Sequence, residues 1–99
     1  MTAAQTMVEK IRENLSQAFS PMSLDVIDES HLHAGHAGAR AGGESHFRVE
    51  IVSSSFEGMS RVARQRDVYK ALANEMAEQI HALALTTRTP DEVKNMANN

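Results

Sequence analysis

Cysteine is absent from the 99 residues. That excludes disulfides, thiolate nucleophiles and any cluster held wholly by protein thiolates. Metal chemistry would have to use histidine nitrogens or borrow sulfur from a partner. Tryptophan is also absent, and with three Phe and one Tyr the core must be filled by aliphatic side chains and Met. No apolar run approaches the roughly 20 residues that a transmembrane helix needs. The opening M-T-A-A-Q-T-M-V-E-K has neither the charge-then-apolar order of a signal peptide nor an Arg-rich transit pattern. The expectation is a cytoplasmic protein without a membrane partner. A net charge of −3 argues against general nucleic-acid affinity but leaves room for a local basic patch. No Ser-His-Asp grouping, phosphate loop or paired-carboxylate pattern is visible, so an enzyme is not expected.

What the chain does have is a segment from Glu29 to Arg48, E-S-H-L-H-A-G-H-A-G-A-R-A-G-G-E-S-H-F-R, with four of the five histidines and four of the five glycines. Its middle carries no apolar periodicity. So long a connection in a small domain suggests a use, because closing a loop costs entropy. The imidazoles either bind metal or are solvated residues of a hairpin tip.

The remainder reads as one domain over 1–99, with 1–5 and 95–99 expected to fray and 30–45 as the hairpin loop. Thr6 with Glu9 makes a capping-box pattern. Val8, Ile11, Leu15 and Phe19 follow at helical spacing, and Ser20-Pro21 stops the helix. Met22 to Asp28 reads as a strand with Leu24 and Val26 on one face. From His46, H-F-R-V-E-I-V-S alternates, with Phe47, Val49 and Ile51 on one side and His46, Arg48 and Glu50 on the other. Ser53 to Gly58 marks a turn anchored by Phe56 and Met59.

Ser60 can cap a long helix, Arg61 to about Gln79, with Val62, Tyr69, Leu72, Ala73, Met76 and Ile80 as its apolar stripe. Arg61, Arg64, Arg66 and Lys70 fall in its first half, and two of these arginines sit in or near the first turn, where the helix dipole disfavours cations. That conflict hints at an anionic partner; otherwise the four are a solvated face. Ile80 to Arg88 reads as a third strand, with small Ala82 and Ala84 on a face that would let a helix pack closely. Thr89-Pro90-Asp91-Glu92 is a helix start. The order α-β-β-α-β-α predicts an α+β sandwich, a three-stranded sheet with helices on one face. The third strand follows a helix and can pair parallel to a hairpin strand.

On spacing alone, His31, His33 and His36 could seat one zinc or copper ion. His81, sharing a strand face with Leu83 and Leu85, is either a hydrogen-bonded structural residue or a second metal donor. Two imidazoles could complete one iron of a [2Fe–2S] cluster if sulfur ligands came from another molecule.

Five stretches carry a resemblance: D-E-S-H-L-H, G-G-E-S-H-F-R-V-E-I-V-S, F-E-G-M-S-R-V-x-R-x-R-x-V-Y, L-A-x-E-M and I-H-A-L-A-L-T-T-R-T-P-D-E. Together they resemble the BolA family from the first helix to about Thr89. The resemblance implies a variant of the type II KH fold. It implies a partnership with a monothiol glutaredoxin, sharing a glutathione-ligated [2Fe–2S] cluster in iron–sulfur trafficking or iron sensing. His81 then maps to the family's His before A-L. Aligning on D-E-S-x-x-H gives His33 as the second ligand, with His31 and His36 as alternates. The chain would be a monomer without cluster when alone and a heterodimer with the glutaredoxin. The resemblance also implies an alternative role as a DNA-binding transcriptional regulator in morphology and stress responses, using Arg61, Arg64, Arg66 and Lys70. Two departures bear on it: Arg64-Gln65-Arg66 stands where the family often has R-H-R, and the G-x-x-G signature of KH domains is absent.

Overall fold

The computed structural model describes residues 6–29, 46–78, 80 and 82–97. Helix α1 (Met7–Phe19) begins where the sequence indicates: the Glu9 N–H donates to Thr6 Oγ1 while the Thr6 N–H donates to Glu9 Oε1. It ends at Ser20, whose backbone is left-handed at φ 43° and whose N–H donates to the Ser16 carbonyl. Pro21 follows and cannot continue a helix.

Strands β1 (Ser23–Asp28) and β2 (His46–Val52) pair antiparallel, from Ser23 opposite Val52 to Asp28 opposite Phe47. Strand β3 (Ala82–Arg88) pairs parallel to β2, from His46 opposite Ala82 to Val52 opposite Arg88. The sheet order is β1-β2-β3, so β2 is central and β3 is an edge.

Between β2 and β3 lie a 3-10 turn (Ser54–Phe56), α2 (Arg61–Ala71) and α3 (Ala73–Glu78). Gly58 in the connecting turn has φ 78°, with open space where a Cβ would stand. The backbone angle rather than crowding therefore favours glycine there. The chain closes with α4 (Pro90–Ala97), which stays helical over residues 95–97, where fraying is expected.

The core lies between the helices and one face of the sheet. Met7, Ile11, Leu15 and Phe19 of α1 meet Val26, Phe47, Val49 and Ile51, with Phe56, Val68, Leu72 and Ile80 completing the cluster. The Phe19 and Phe56 ring centroids are 5.1 Å apart and tilted by 43°, as aromatic quadrupoles prefer. Ser53 is fully buried beneath them. Its Oγ donates to the Phe19 carbonyl at 2.8 Å and accepts the Ser55 N–H at 3.0 Å. One hydroxyl thus satisfies an orphan carbonyl at the end of α1 and caps the 3-10 turn.

Three expectations need correction. The long helix is two, broken at Leu72, and beyond the break Glu75 accepts from Asn14 Nδ2 of α1 at 2.7 Å. The expected stripe holds at Leu72, Met76 and Ile80 but not elsewhere: Val62 is 57% and Tyr69 39% exposed, Ala73 is exposed, and Arg64 and Val68 face inward with Leu72 at four-residue spacing. Apolar letters mislead here because one inward position holds an arginine. Finally, Ala82 and Ala84 lie on the sheet face opposite the core and are exposed, so they do not receive a helix.

Candidate functional site

The hairpin loop enters and leaves the described structure at one point. The Glu29 N–H donates to the His46 carbonyl at 2.8 Å, closing the β1–β2 ladder at its base. Across the same base, Arg48 Nε donates to Glu29 Oε2 at 2.9 Å. That hydrogen bond, more than the nearby charge, raises the Arg48 pKa. His46 stands on the sheet face opposite Phe47, as its place in the alternation indicates, and is half-buried. Because β2 and β3 run parallel, His46 is also the partner of Ala82, the first residue of β3. The two ends of the loop and the start of β3 therefore meet at one end of the sheet. An antiparallel β3 would have put its start at the far end.

His31, His33, His36 and His81 lie outside the described residues. Among the described residues no group of three or more His, Asp and Glu side chains could hold a metal ion.

The basic start of α2 divides into two kinds of residue. Arg61, Arg66 and Lys70 are exposed. Arg64 is not: it is 5% exposed and each of its guanidinium nitrogens donates within the fold. Nη1 and Nη2 donate to Glu92 Oε1 and Oε2 at 2.7 and 3.0 Å, Nε donates to the Met59 carbonyl at 3.1 Å, and Nη1 also reaches the Thr87 carbonyl at 3.4 Å. Such a fork-to-fork pair is the strong form of the interaction. Arg64 joins α2 to β3 and α4 rather than offering a free cation to a phosphate.

Glu92 has a second task, the capping box of α4. Its Oε1 accepts the Thr89 N–H at 2.9 Å, and its own N–H donates to Thr89 Oγ1 at 3.2 Å. The Arg64 hydrogen bonds, then that of Thr89, pull its pKa down to about 2. The capping role is legible in T-P-D-E; the pairing with Arg64, across 28 residues, is not. The spacing of Arg64 to Val68 and Leu72 is the one sequence signal that could have found it.

Residues 15–92 match the family profile described as BolA-like protein. The chain belongs to the BolA-like family. A protein of the cobS 5′ region in Sinorhizobium sp is 49% identical over 88 residues, spanning 88% of this chain and 95% of its own. The DNA-binding transcriptional regulator BolA of Escherichia coli K12 is 45% identical over 84 residues, with 85% and 76% covered. The solved structure of BolA1 from Arabidopsis thaliana is similar at a TM-score of 0.81 and 42% identity, covering 91% of this chain and 98% of that one. The full chloroplastic BOLA1 sequence is longer, and the chain spans 58% of its length. The three-stranded sheet with its helices is thus the BolA form of an α+β fold, consistent with the KH-like comparison. Among the described residues no helix is long and apolar enough to cross a membrane.

Proposed function

We propose that this BolA-like chain is a non-enzymatic partner of a monothiol glutaredoxin, co-ligating a glutathione-bound [2Fe–2S] cluster in iron–sulfur trafficking or iron sensing. The observation that carries the reading is the parallel β2–β3 pairing. It joins His46 at the loop exit to Ala82, the residue after His81. Sequence neighbours of two histidine-bearing segments, far apart in the chain, thereby share one end of the sheet.

The donor chemistry agrees. With no Cys, this chain can offer a cluster no thiolate, and imidazole nitrogen is the donor that the resemblance points to. His33 and His81 would hold one iron, with His31 and His36 as alternates to His33, while sulfur from the partner's cysteine and glutathione would hold the other. The cluster, when bound, supplies redox and iron-sensing chemistry. The chain's own part is to orient two neutral imidazoles from a braced base, where Glu29 and Arg48 cross-link the strands that carry the loop.

Anaerobic cluster reconstitution with a monothiol glutaredoxin and glutathione tests this reading. Visible circular dichroism should change when the chain is added, and His81→Ala should abolish the change. A spectrum that stays that of the glutaredoxin alone refutes it.

A second reading, DNA binding in transcriptional regulation, is favoured by the name of the Escherichia coli relative and by the exposed cations of α2. Arg61, Arg66 and Lys70 would contact phosphates. Arg64, held by Glu92, would support the helix that presents them.

A further inference from the structure

A cleft of about 210 Å³ opens between β3, the first turns of α2 and the end of α4. Its wall includes the unbroken stretch Leu85 to Arg88, together with Arg61, Gln65 and Met96. Side chains of a strand alternate between its faces, so four consecutive residues can line one cleft only if it runs along the strand's edge. Hydrogen bonds identify that edge. The Arg88 carbonyl accepts from the Ser53 N–H, on the β2 side. The Thr87 carbonyl accepts instead from Arg64, on the outer side. By alternation the N–H and C=O groups of Leu85 and Leu83 point outward with Thr87, and no described strand pairs with them.

We infer that this cleft docks an extended acidic peptide, which adds to the β3 edge as a fourth strand and sets carboxylates against Arg61 and Arg88. Three features point to that ligand. Short of the Thr87 carbonyl, which Arg64 occupies, the edge offers alternating backbone donors and acceptors, the recognition mode of strand addition. Arg88 forms no ion pair among the described residues, and Arg61 acts on Glu92 only at a distance; both flank the cleft in a chain of net charge −3. The exposed Met96 adds an apolar contact at the rim for an alternate side chain. The volume is below the roughly 300–1,000 Å³ typical of small-molecule pockets, which suits a segment of chain better than an enclosed ligand. No aromatic side chain lines the cleft for bases to stack on, which disfavours a single-stranded nucleic acid. The cleft occupies residues 85–88 of β3, its near end about 10 Å from Ala82 at ~3.3 Å per residue. None of the residues that line it is one proposed to hold the cluster, so the inference does not rest on that reading.

The test is a titration of the full ¹⁵N-labelled chain with an acetylated, amidated eight-residue peptide of alternating glutamate and valine. The amide signals of Leu83, Leu85 and Thr87 should shift progressively. A peptide N-methylated at alternate positions should leave them unmoved, and Arg61→Gln with Arg88→Gln should weaken binding roughly tenfold. The dispersion of each variant's spectrum reports whether it folds, and the N-methylated comparison needs no variant. Equal shifts with the N-methylated peptide, or no shift at millimolar peptide, overturn the proposal. So does an oligothymidine of equal charge moving these amides where the peptide does not, an outcome that would make the cleft a nucleic-acid groove.

Discussion

Arg64 and Glu92 meet as two parallel hydrogen bonds of 2.7 and 3.0 Å that fasten α4 to α2. With the Met59 and Thr87 carbonyls also bound, four of the five guanidinium N–H groups are engaged within the fold. Arg64→Ala should destabilise the fold by about 1.5–3 kcal/mol, since hydrogen bonds to charged groups are the costly ones to lose, while Glu92, partly exposed, keeps its hydrogen bond from Thr89. Arg64→Lys should recover only part of this, because an ammonium cannot reproduce the fork. Urea denaturation of the three proteins measures both effects.

The same pair sets an acid response. The Glu92 carboxyl titrates at about 2 in the fold, below its ordinary 4.5, with the Arg64 hydrogen bonds as the main cause. Between those two values the unfolded chain binds more protons than the native one, so acid favours unfolding. The contribution should be fully present above about pH 4.5 and lost progressively as pH falls towards 2. Glu92→Gln should be less stable near neutrality and show a shallower decline across that window. Thermal melts at a series of pH values distinguish the two slopes.

Ser53→Ala removes the donor to Phe19 and the acceptor of the Ser55 N–H from a fully buried position. A cost of about 1–3 kcal/mol is expected for the orphaned groups. The Ser55 hydroxyl also donates to the Phe19 carbonyl, at 3.3 Å, and should hold the loss towards the lower end. Faster hydrogen exchange at the end of α1 would localise the effect.

If DNA is a ligand, exposed and buried arginines should behave differently. Arg66→Ala should lower affinity on any sequence and reduce the salt slope by about one, as loss of one phosphate contact does. Arg64→Ala should act through stability and leave the slope nearly unchanged in the fraction that remains folded. Binding isotherms over a salt series, normalised to folded protein, separate the two. Equal slope changes would mean that Arg64 reaches phosphate after all.

Local chemistry was the part of the fold most legible in the sequence. Thr6 with Glu9, Thr89 with Glu92, and the alternation of Phe47, Val49 and Ile51 all act within a few residues, and the structure has each of them. Parallel β3 followed from the helices that precede it. What escaped was tertiary. Arg64 faces inward, paired with a carboxylate 28 residues away, and the inward face before Leu72 therefore runs through Arg64 and Val68 rather than Val62 and Tyr69. The break at Leu72 carries no Pro or Gly to announce it. The exposure of Ala82 and Ala84 depends on which sheet face the helices choose, which small residues do not reveal. For the proposed cluster site, the sequence supplied the donors and the family, and the β2–β3 register relates their described neighbours, Ala82 and His46.

The central claim is that imidazoles of this chain ligate iron, and pulsed electron paramagnetic resonance of the reduced complex with the glutaredoxin and glutathione tests it most directly. Strong ¹⁴N couplings of the imidazole type should appear, His81→Ala should remove one set, and substitution of His33 should remove another. A reduced cluster without such couplings, or one whose couplings survive every histidine substitution, would contradict the account.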